Sequence, residues 1–174
     1  VSEIQDAEEN PRGHVRLGIP YSVSVVLTVP LLQYMERHFP EISLEIAQAF
    51  SGFIDDWLVS DKTDCAILLS NPQKTGLAIR PLVTESLYLI VCAGSKLANR
   101  RSISFENALA TPLVLPTKAH GLRVLLEGLA RSRDAALNVK TEIDAGHELI
   151  KLVEQDFGTA ILAKCAVTDQ LARG

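Results

Sequence analysis

The chain has 174 residues, 47% hydrophobic and 22% charged, enough for one ordinary domain or two small lobes with a real core. That charged fraction is typical of folded soluble proteins, which excludes disorder throughout. Lys and Arg total 17 against 21 Asp and Glu, a net charge of −4 with no basic block, and aromatics make up only 5%, so this stretch by itself is a poor nucleic-acid grip and a poor base-stacking platform.

Residues 1–13 read as a polar lead-in ending at Pro11-Arg12-Gly13. His14–Ile19 alternates polar and apolar residues, the pattern of a half-buried strand. Pro20–Ser24 reads as a loop, and Leu27, Leu31, Leu32, Met35 and Phe39 recur at helical spacing, predicting a helix over roughly 24–38 with Pro30 in its early part. Ile42, Leu44 and Ile46 mark a second strand. Ser51 is placed to cap a helix whose apolar face is Phe53, Ile54, Trp57 and Leu58. Asp64–Leu69 reads as a buried strand, completing β-α-β-α-β over 14–70, the order of a parallel sheet with right-handed crossovers.

Ile79 with Leu82, and then Leu87–Cys92, predict two further strands. A short helical turn opens at Ser104, a strand comes next at Leu113–Leu115, and Pro116–Gly121 is a loop. Leu122, Leu125, Leu126 and Leu129 line a helix, Val139–Ile143 is a strand, and Leu149, Ile150, Leu152 and Val153 line another helix. Phe157–Leu162 returns to strand and Lys164–Leu171 to helix, a second α/β series with no repeats.

The three cysteines, Cys65, Cys92 and Cys165, are far apart, with no CxxC and no zinc spacing, which fits a reducing compartment. Cys65 and Cys92 lie in apolar runs and are expected as buried small hydrophobes. No apolar run is long enough for a membrane helix, and the start is no signal peptide. The chain lacks an initial Met and stops just after a helical pattern, so it is expected to be a fragment truncated at both ends. Neither GxGxxG, GxxxxGK[ST], GxSxG nor HExxH is present, and His147-Glu148 and Asp55-Asp56 read as solvated faces, so no catalytic residue, cofactor site or metal site is expected. Hydroxyls do occur just past strand ends: Ser22 and Ser24, Ser51, Ser70 and Thr117. Beyond the carboxyl ends of parallel strands, such side chains and helix N-termini hold polar or anionic ligands. Ser51 and Thr117 can equally serve only as helix caps.

Gly13-His-Val-Arg-Leu-Gly-Ile-Pro, Phe39-Pro-Glu-Ile-Ser-Leu-Glu-Ile and Ser51-Gly-Phe-Ile-Asp-Asp-Trp-Leu resemble the opening of the regulatory domain of LysR-type transcriptional regulators. Arg80–Val91 and Leu152–Leu162 resemble its later motifs, and the resemblance covers about 12–174. Leu115-Pro-Thr, Leu122-Arg and Glu142-Ile-Asp look most like the nitrogen-assimilation-control subgroup. The resemblance implies two Rossmann-like lobes with a cleft between them, as in type-2 periplasmic binding proteins. It implies a linker tail at 1–13, a first lobe at 14–88 and a second at 89–174, with the last strands returning to the first lobe and an N-terminal winged helix-turn-helix both missing. Carried over by position, effector contacts are Tyr21, Ser22, Ser24, Ser51, Leu69 and Ser70 from the first lobe, and Pro116, Thr117, Lys118, Asp144, Ala145 and Gly146 from the second. The hydroxyl-rich rim points to a small polar or carboxylate metabolite as effector; the resemblance further implies a homodimer or homotetramer through this domain, DNA only through the missing domain, no membrane and a cytoplasmic location. One departure is Asp156, where the family has a glycine, which puts a backbone turn at stake. The competing readings are a solute-binding protein of a transport system and an enzyme of the same bilobal fold.

Overall fold

The computed structural model describes residues 11–69 and 76–173, leaving aside the side chain of Ser51, so Ser70 and most of the expected linker tail lie outside the described residues. The chain divides into two units, Val1–Thr75 and Gly76–Gly174.

Unit 1 runs β1 (Gly13–Ile19), α1 (Tyr21–His38), β2 (Ile42–Gln48), α2 (Ser51–Val59) and β3 (Cys65–Ala66), with the strands in the order β2-β1-β3. Both pairings are parallel, from Gly13 opposite Ile42 to Ile19 opposite Gln48, and with Leu17 opposite Cys65. The expected β-α-β-α-β order is present because each alternating run is joined to the next by an amphipathic helix long enough to cross over.

Three local expectations need correction. The helix begins at Tyr21, so Pro20–Ser24 is no loop: Pro20, at φ −75°, is the N-cap, and its carbonyl accepts from the amides of Val23 and Ser24 at 3.1 and 2.9 Å. Proline's fixed φ suits a helix entrance. Pro30 consequently lies in mid-helix and denies Val26 its usual amide partner. The last strand is two residues long, because it is an edge strand that meets only Leu17 and Gly18. Its alternation turns Cys65 outward, so Cys65 is exposed rather than buried, and Cys92 is half-buried.

Ile19 and Ile54 are fully buried in unit 1. Gly18 leaves room for the Ile54 side chain, since a Cβ there would lie 2.9 Å from Ile54 Cγ2. At the far edge, the Arg16 amide and Nε donate to Asp64 Oδ2 at 2.7 and 3.2 Å, and Nη2 donates to Oδ1 at 2.8 Å. The guanidinium, and then the amide, hold the Asp64 carboxyl at about 2, down from 3.8. A depressed carboxyl contributes stability that is whole above 3.8 and is lost as pH falls through about 2. Asp64→Asn is therefore expected to flatten the fall in melting temperature across that window. Equal slopes for both proteins would show that the pair does not contribute to acid stability.

Unit 2 contains β4 (Leu87–Ile90), α3 (Phe105–Ala110), β5 (Leu113–Leu115), α4 (Gly121–Arg131), β6 (Val139–Glu142), α5 (Gly146–Glu154), β7 (Ala160–Ala163), a 3-10 turn (Lys164–Val167) and α6 (Thr168–Arg173). β4 pairs antiparallel with β7, β5 pairs parallel with β6, and Leu113 bridges to Thr159. Ser104 caps α3, accepting from the Asn107 amide at 3.3 Å. The strand expected at Ile79 and Leu82 does not form, and Ile79, Leu82 and Val83 are exposed. Pro81 lacks the amide that a ladder needs.

Leu109, Leu113, Leu115 and Leu126 are fully buried and form the centre of the core. From α4 only Leu122, Leu126 and Ala130 join Arg123 inside, while Leu125 and Leu129 are exposed, so the expected four-leucine face is half correct. Leu149, Ile150 and Val153 of α5 are buried as their spacing predicts. The turn at stake at residue 156 is kept: Asp156 adopts φ +56°, and its amide donates to the Val153 carbonyl at 3.0 Å. Aspartate is among the few residues other than glycine that tolerate that region.

Candidate functional site

In unit 1 the three parallel strands end at one sheet edge, at Ile19, Gln48 and Ala66. α1 starts one residue beyond β1, which puts Tyr21, Ser22 and Ser24 in its first turn, all half-buried. Ser24 Oγ lies 3.1 Å from Thr28 Oγ1, so this hydroxyl is engaged along its own helix. α2 starts at Ser51, but the cap position is Phe50, whose carbonyl accepts from Phe53 and Ile54 at 3.0 and 3.1 Å. The expectation that Ser51 is the N-cap is thus corrected to first helical residue. Leu69 is exposed, three residues past β3. The hydroxyl-bearing residues Ser22 and Ser51 therefore accompany two helix N-termini at one edge, where unpaired amides favour polar or anionic groups.

In unit 2 the parallel pair β5 and β6 ends at Leu115 and Glu142, and the two candidate loops begin at those ends. The structure joins them. Asp144 Oδ1 accepts from the Thr117 amide at 2.9 Å and Oδ2 from the Thr117 hydroxyl at 2.6 Å. Thr117 therefore does not cap α4; His120 does, its Nδ1 accepting from the Leu122 amide at 3.1 Å. Burial pushes the His120 imidazole below its usual range, with Asp144 pulling the other way, which suits a neutral ring acting as acceptor. Pro116 is buried, Lys118 is exposed, Ala145 is the N-cap of α5 and Gly146 its first residue.

Sequence reasoning missed what holds these loops. Arg123 is only 4% exposed. Its Nη1 donates to the Pro116 carbonyl at 3.2 Å and to Glu142 Oε1 at 2.8 Å, and its Nε donates to Glu127 Oε1 at 2.9 Å. The Arg123–Glu127 spacing of four is a signal present in the sequence. The partnership with Glu142, 19 residues away, is not. A buried guanidinium with three acceptors is an anchor: it ties the residue before Thr117 to the residue two before Asp144.

On one face of unit 1, Val29, Leu32, Met35, Phe39, Ile42 and Leu44 line an open groove of about 440 Å3, and no residue of α1 is buried. The helical stripe read from the sequence is half-buried at Leu27, Leu31, Met35 and Phe39, with Val29 and Leu32 outward. Among the described residues no helix is long and apolar enough to cross a membrane, and no three metal-binding side chains cluster.

The family model described as the LysR substrate binding domain matches residues 8–174. The chain is 24% identical over 172 residues to the HTH-type transcriptional regulator BbuR of Bordetella bronchiseptica, covering 99% of this chain and 53% of that protein. It is 23% identical to the nitrogen assimilation regulatory protein nac of Klebsiella aerogenes, covering 94% and 53%. The chain thus spans about half the length of these curated relatives. Among solved structures, it is similar to the effector binding domain of QuiR in complex with shikimate, with a TM-score of 0.81 and 20% identity over 91% of this chain and 77% of that one. The Synechocystis PCC6803 CcmR regulatory domain in complex with 2-PG gives a TM-score of 0.80 and 16% identity over 90% and 74%. At such identities these structures establish the fold, the two-lobed α/β fold expected from the sequence.

Proposed function

Because the chain belongs to the LysR substrate binding domain family, we propose that it is the effector-sensing part of a DNA-binding transcriptional regulator that takes a small polar metabolite. The observation that carries this reading is that hydroxyl-bearing residues at two helix N-termini stand at strand carboxyl ends in unit 1, and the Thr117–Asp144 pair at strand carboxyl ends in unit 2. The contacts are Tyr21, Ser22, Ser24, Ser51, Leu69 and Ser70 from the first lobe, and Pro116, Thr117, Lys118, Asp144, Ala145 and Gly146 from the second. The effector changes transcription by binding one arrangement of the regulator better than another, the only way a ligand shifts an equilibrium. DNA is held by a separate N-terminal winged helix-turn-helix. The regulator works in the cytoplasm, carries out no catalysis, and assembles as a homodimer or homotetramer. The groove beside α1 supports that last point, since an exposed apolar face of this kind marks an interaction surface. The relatives are regulators rather than transport proteins, which favours this reading over the solute-binding one.

The test is a thermal-shift screen against amino acids, organic acids and other small metabolites. A ligand at 100 times its dissociation constant is expected to add ~2.7 kcal/mol of stability. Ser22→Ala is then expected to weaken that ligand by about 1 kcal/mol, the worth of one hydrogen bond, with the ligand-free melting temperature unchanged. A screen that stays flat on the full-length regulator would replace sensing by a ligand-independent assembly role.

A further inference from the structure

We infer that Asp144 makes the carboxyl end of the β5–β6 pair a site for a hydrogen-bond donor, a hydroxyl or ammonium group of the effector, and closes that point to anions. The inference rests on the proposal that these loops meet an effector, and it names the chemistry of the group they take. A backbone amide beside a hydroxyl, at the end of a parallel strand, is the donor pair that would clasp a carboxylate or phosphate. Here the chain's own carboxylate holds both donors, the amide at 2.9 Å and the hydroxyl at 2.6 Å. What remains for a ligand is the lone pairs of Thr117 Oγ1 and those left on Asp144, which are acceptors only.

The carbonyls beside Thr117 are engaged within the chain. The Pro116 carbonyl accepts from Arg123, and the Thr117 carbonyl accepts from the His120 amide at 3.0 Å. An anion arriving at Thr117 meets a negative charge, or must expel Asp144 and leave that carboxylate without its two partners. A hydroxyl or ammonium meets paired acceptors already in place. The pair is also held in register from both strands: Arg123 bonds to Pro116 and Glu142, and the Ile143 amide donates to the Leu115 carbonyl at 2.9 Å. Preorganisation of this kind favours the matching ligand because little ordering remains to be done on binding. The exposed Lys118 leaves room for an anionic group elsewhere on the same effector, but it does not supply two fixed donors.

The experiment is an amide-resonance titration of the full chain near neutral pH with two probes, inorganic phosphate and ethanolamine, at constant ionic strength. Ethanolamine is expected to shift the Thr117 and Asp144 amides saturably, and phosphate is not. In Asp144→Ala the order is expected to reverse, with phosphate perturbing Thr117 at a concentration lower by about tenfold or more, the worth of the charge-assisted bonds set free. Adding Thr117→Val is expected to remove that response. Should Asp144→Ala disturb amides beyond the two loops, Asp144→Asn, which keeps the shape and one acceptor, is expected to give the same reversal in weaker form. Phosphate acting equally on both proteins, an unreversed order, or no response to ethanolamine in the unsubstituted chain each overturns the inference. The sensing proposal fails separately, through the metabolite screen and Ser22→Ala, which touch neither Thr117 nor Asp144.

Discussion

Gly158→Ala is expected to cost the fold about 2–3 kcal/mol, as overpacking of a closed site does. A Cβ at this position would stand 2.7 Å from the Pro112 carbonyl oxygen and 2.9 Å from Val114 Cγ2. Neither neighbour yields easily. The Pro112 oxygen accepts from the Thr159 amide at 2.9 Å, and the Thr159 oxygen accepts from the Val114 amide at 2.7 Å, so the clash falls inside a hydrogen-bonded seam. Val114 itself is fully buried. Urea unfolding is expected to show a lower midpoint with an unchanged slope. Gly128→Ala is the control: it lies within α4 with nothing inside 4 Å of its Cβ, and should stabilise by about 0.5–1 kcal/mol. Equal effects at the two glycines would sink the argument from close approach.

Arg123→Ala is expected to be of the same size or larger, about 3 kcal/mol. The side chain of Arg123 is 5% exposed, against 32% for Glu127 and 41% for Glu142. Truncation leaves two carboxylates and the Pro116 carbonyl without their shared donor. Arg123→Lys is expected to recover only part of the loss, because an ammonium cannot span three acceptors as a planar guanidinium does. A double-mutant cycle with Glu142→Gln should give a coupling of about 1–2 kcal/mol. Additivity of the two losses would mean that the contact with Glu142 carries none of the cost, which would then lie with Glu127 and the Pro116 carbonyl. Hydrogen exchange offers a local readout: the Thr117 amide should lose protection in Arg123→Ala more than amides in β7 do.

The order of elements was legible because strands and helices impose different periods on apolar residues. Ile42, Leu44 and Ile46 in β2, and Leu149, Ile150 and Val153 in α5, keep those periods and sit where they predict. Short polar side chains were harder to read. Tyr21, Ser22 and Ser24 look like loop residues one at a time, yet Pro20 has already set the backbone for a helix, and the first turn accepts them. Ile79 and Leu82 look like a strand because they are aliphatic, but aliphatic character does not supply the ladder amide that Pro81 lacks. The site was legible as positions and not as chemistry. Thr117 and Asp144 both stand in loops just past the carboxyl end of a parallel strand, and that position is readable from the pattern alone. That one neutralises the donors of the other depends on a contact across 27 residues, which no local pattern encodes. Arg123 is the clearest case. In sequence it is one more cation on a helix, and only the fold converts it into a buried tie.

The junction of β1 with α1 has a mechanical consequence. A single residue, Pro20, separates a strand fixed in the middle of its sheet from a helix of 18 residues. At 1.5 Å per residue that helix is a rod of about 27 Å, pivoted at the end where Ser22 lies. A tilt of roughly 5° at the pivot carries the far end through about 2 Å, by the length of the rod alone. The far half of the rod, from Val29 to Met35, lines the open groove. Were α1 to tilt as one body on β2, a displacement of a fraction of an ångström at the sheet edge would arrive at that face magnified, and a closely packed neighbour seated there would register it as a change of fit.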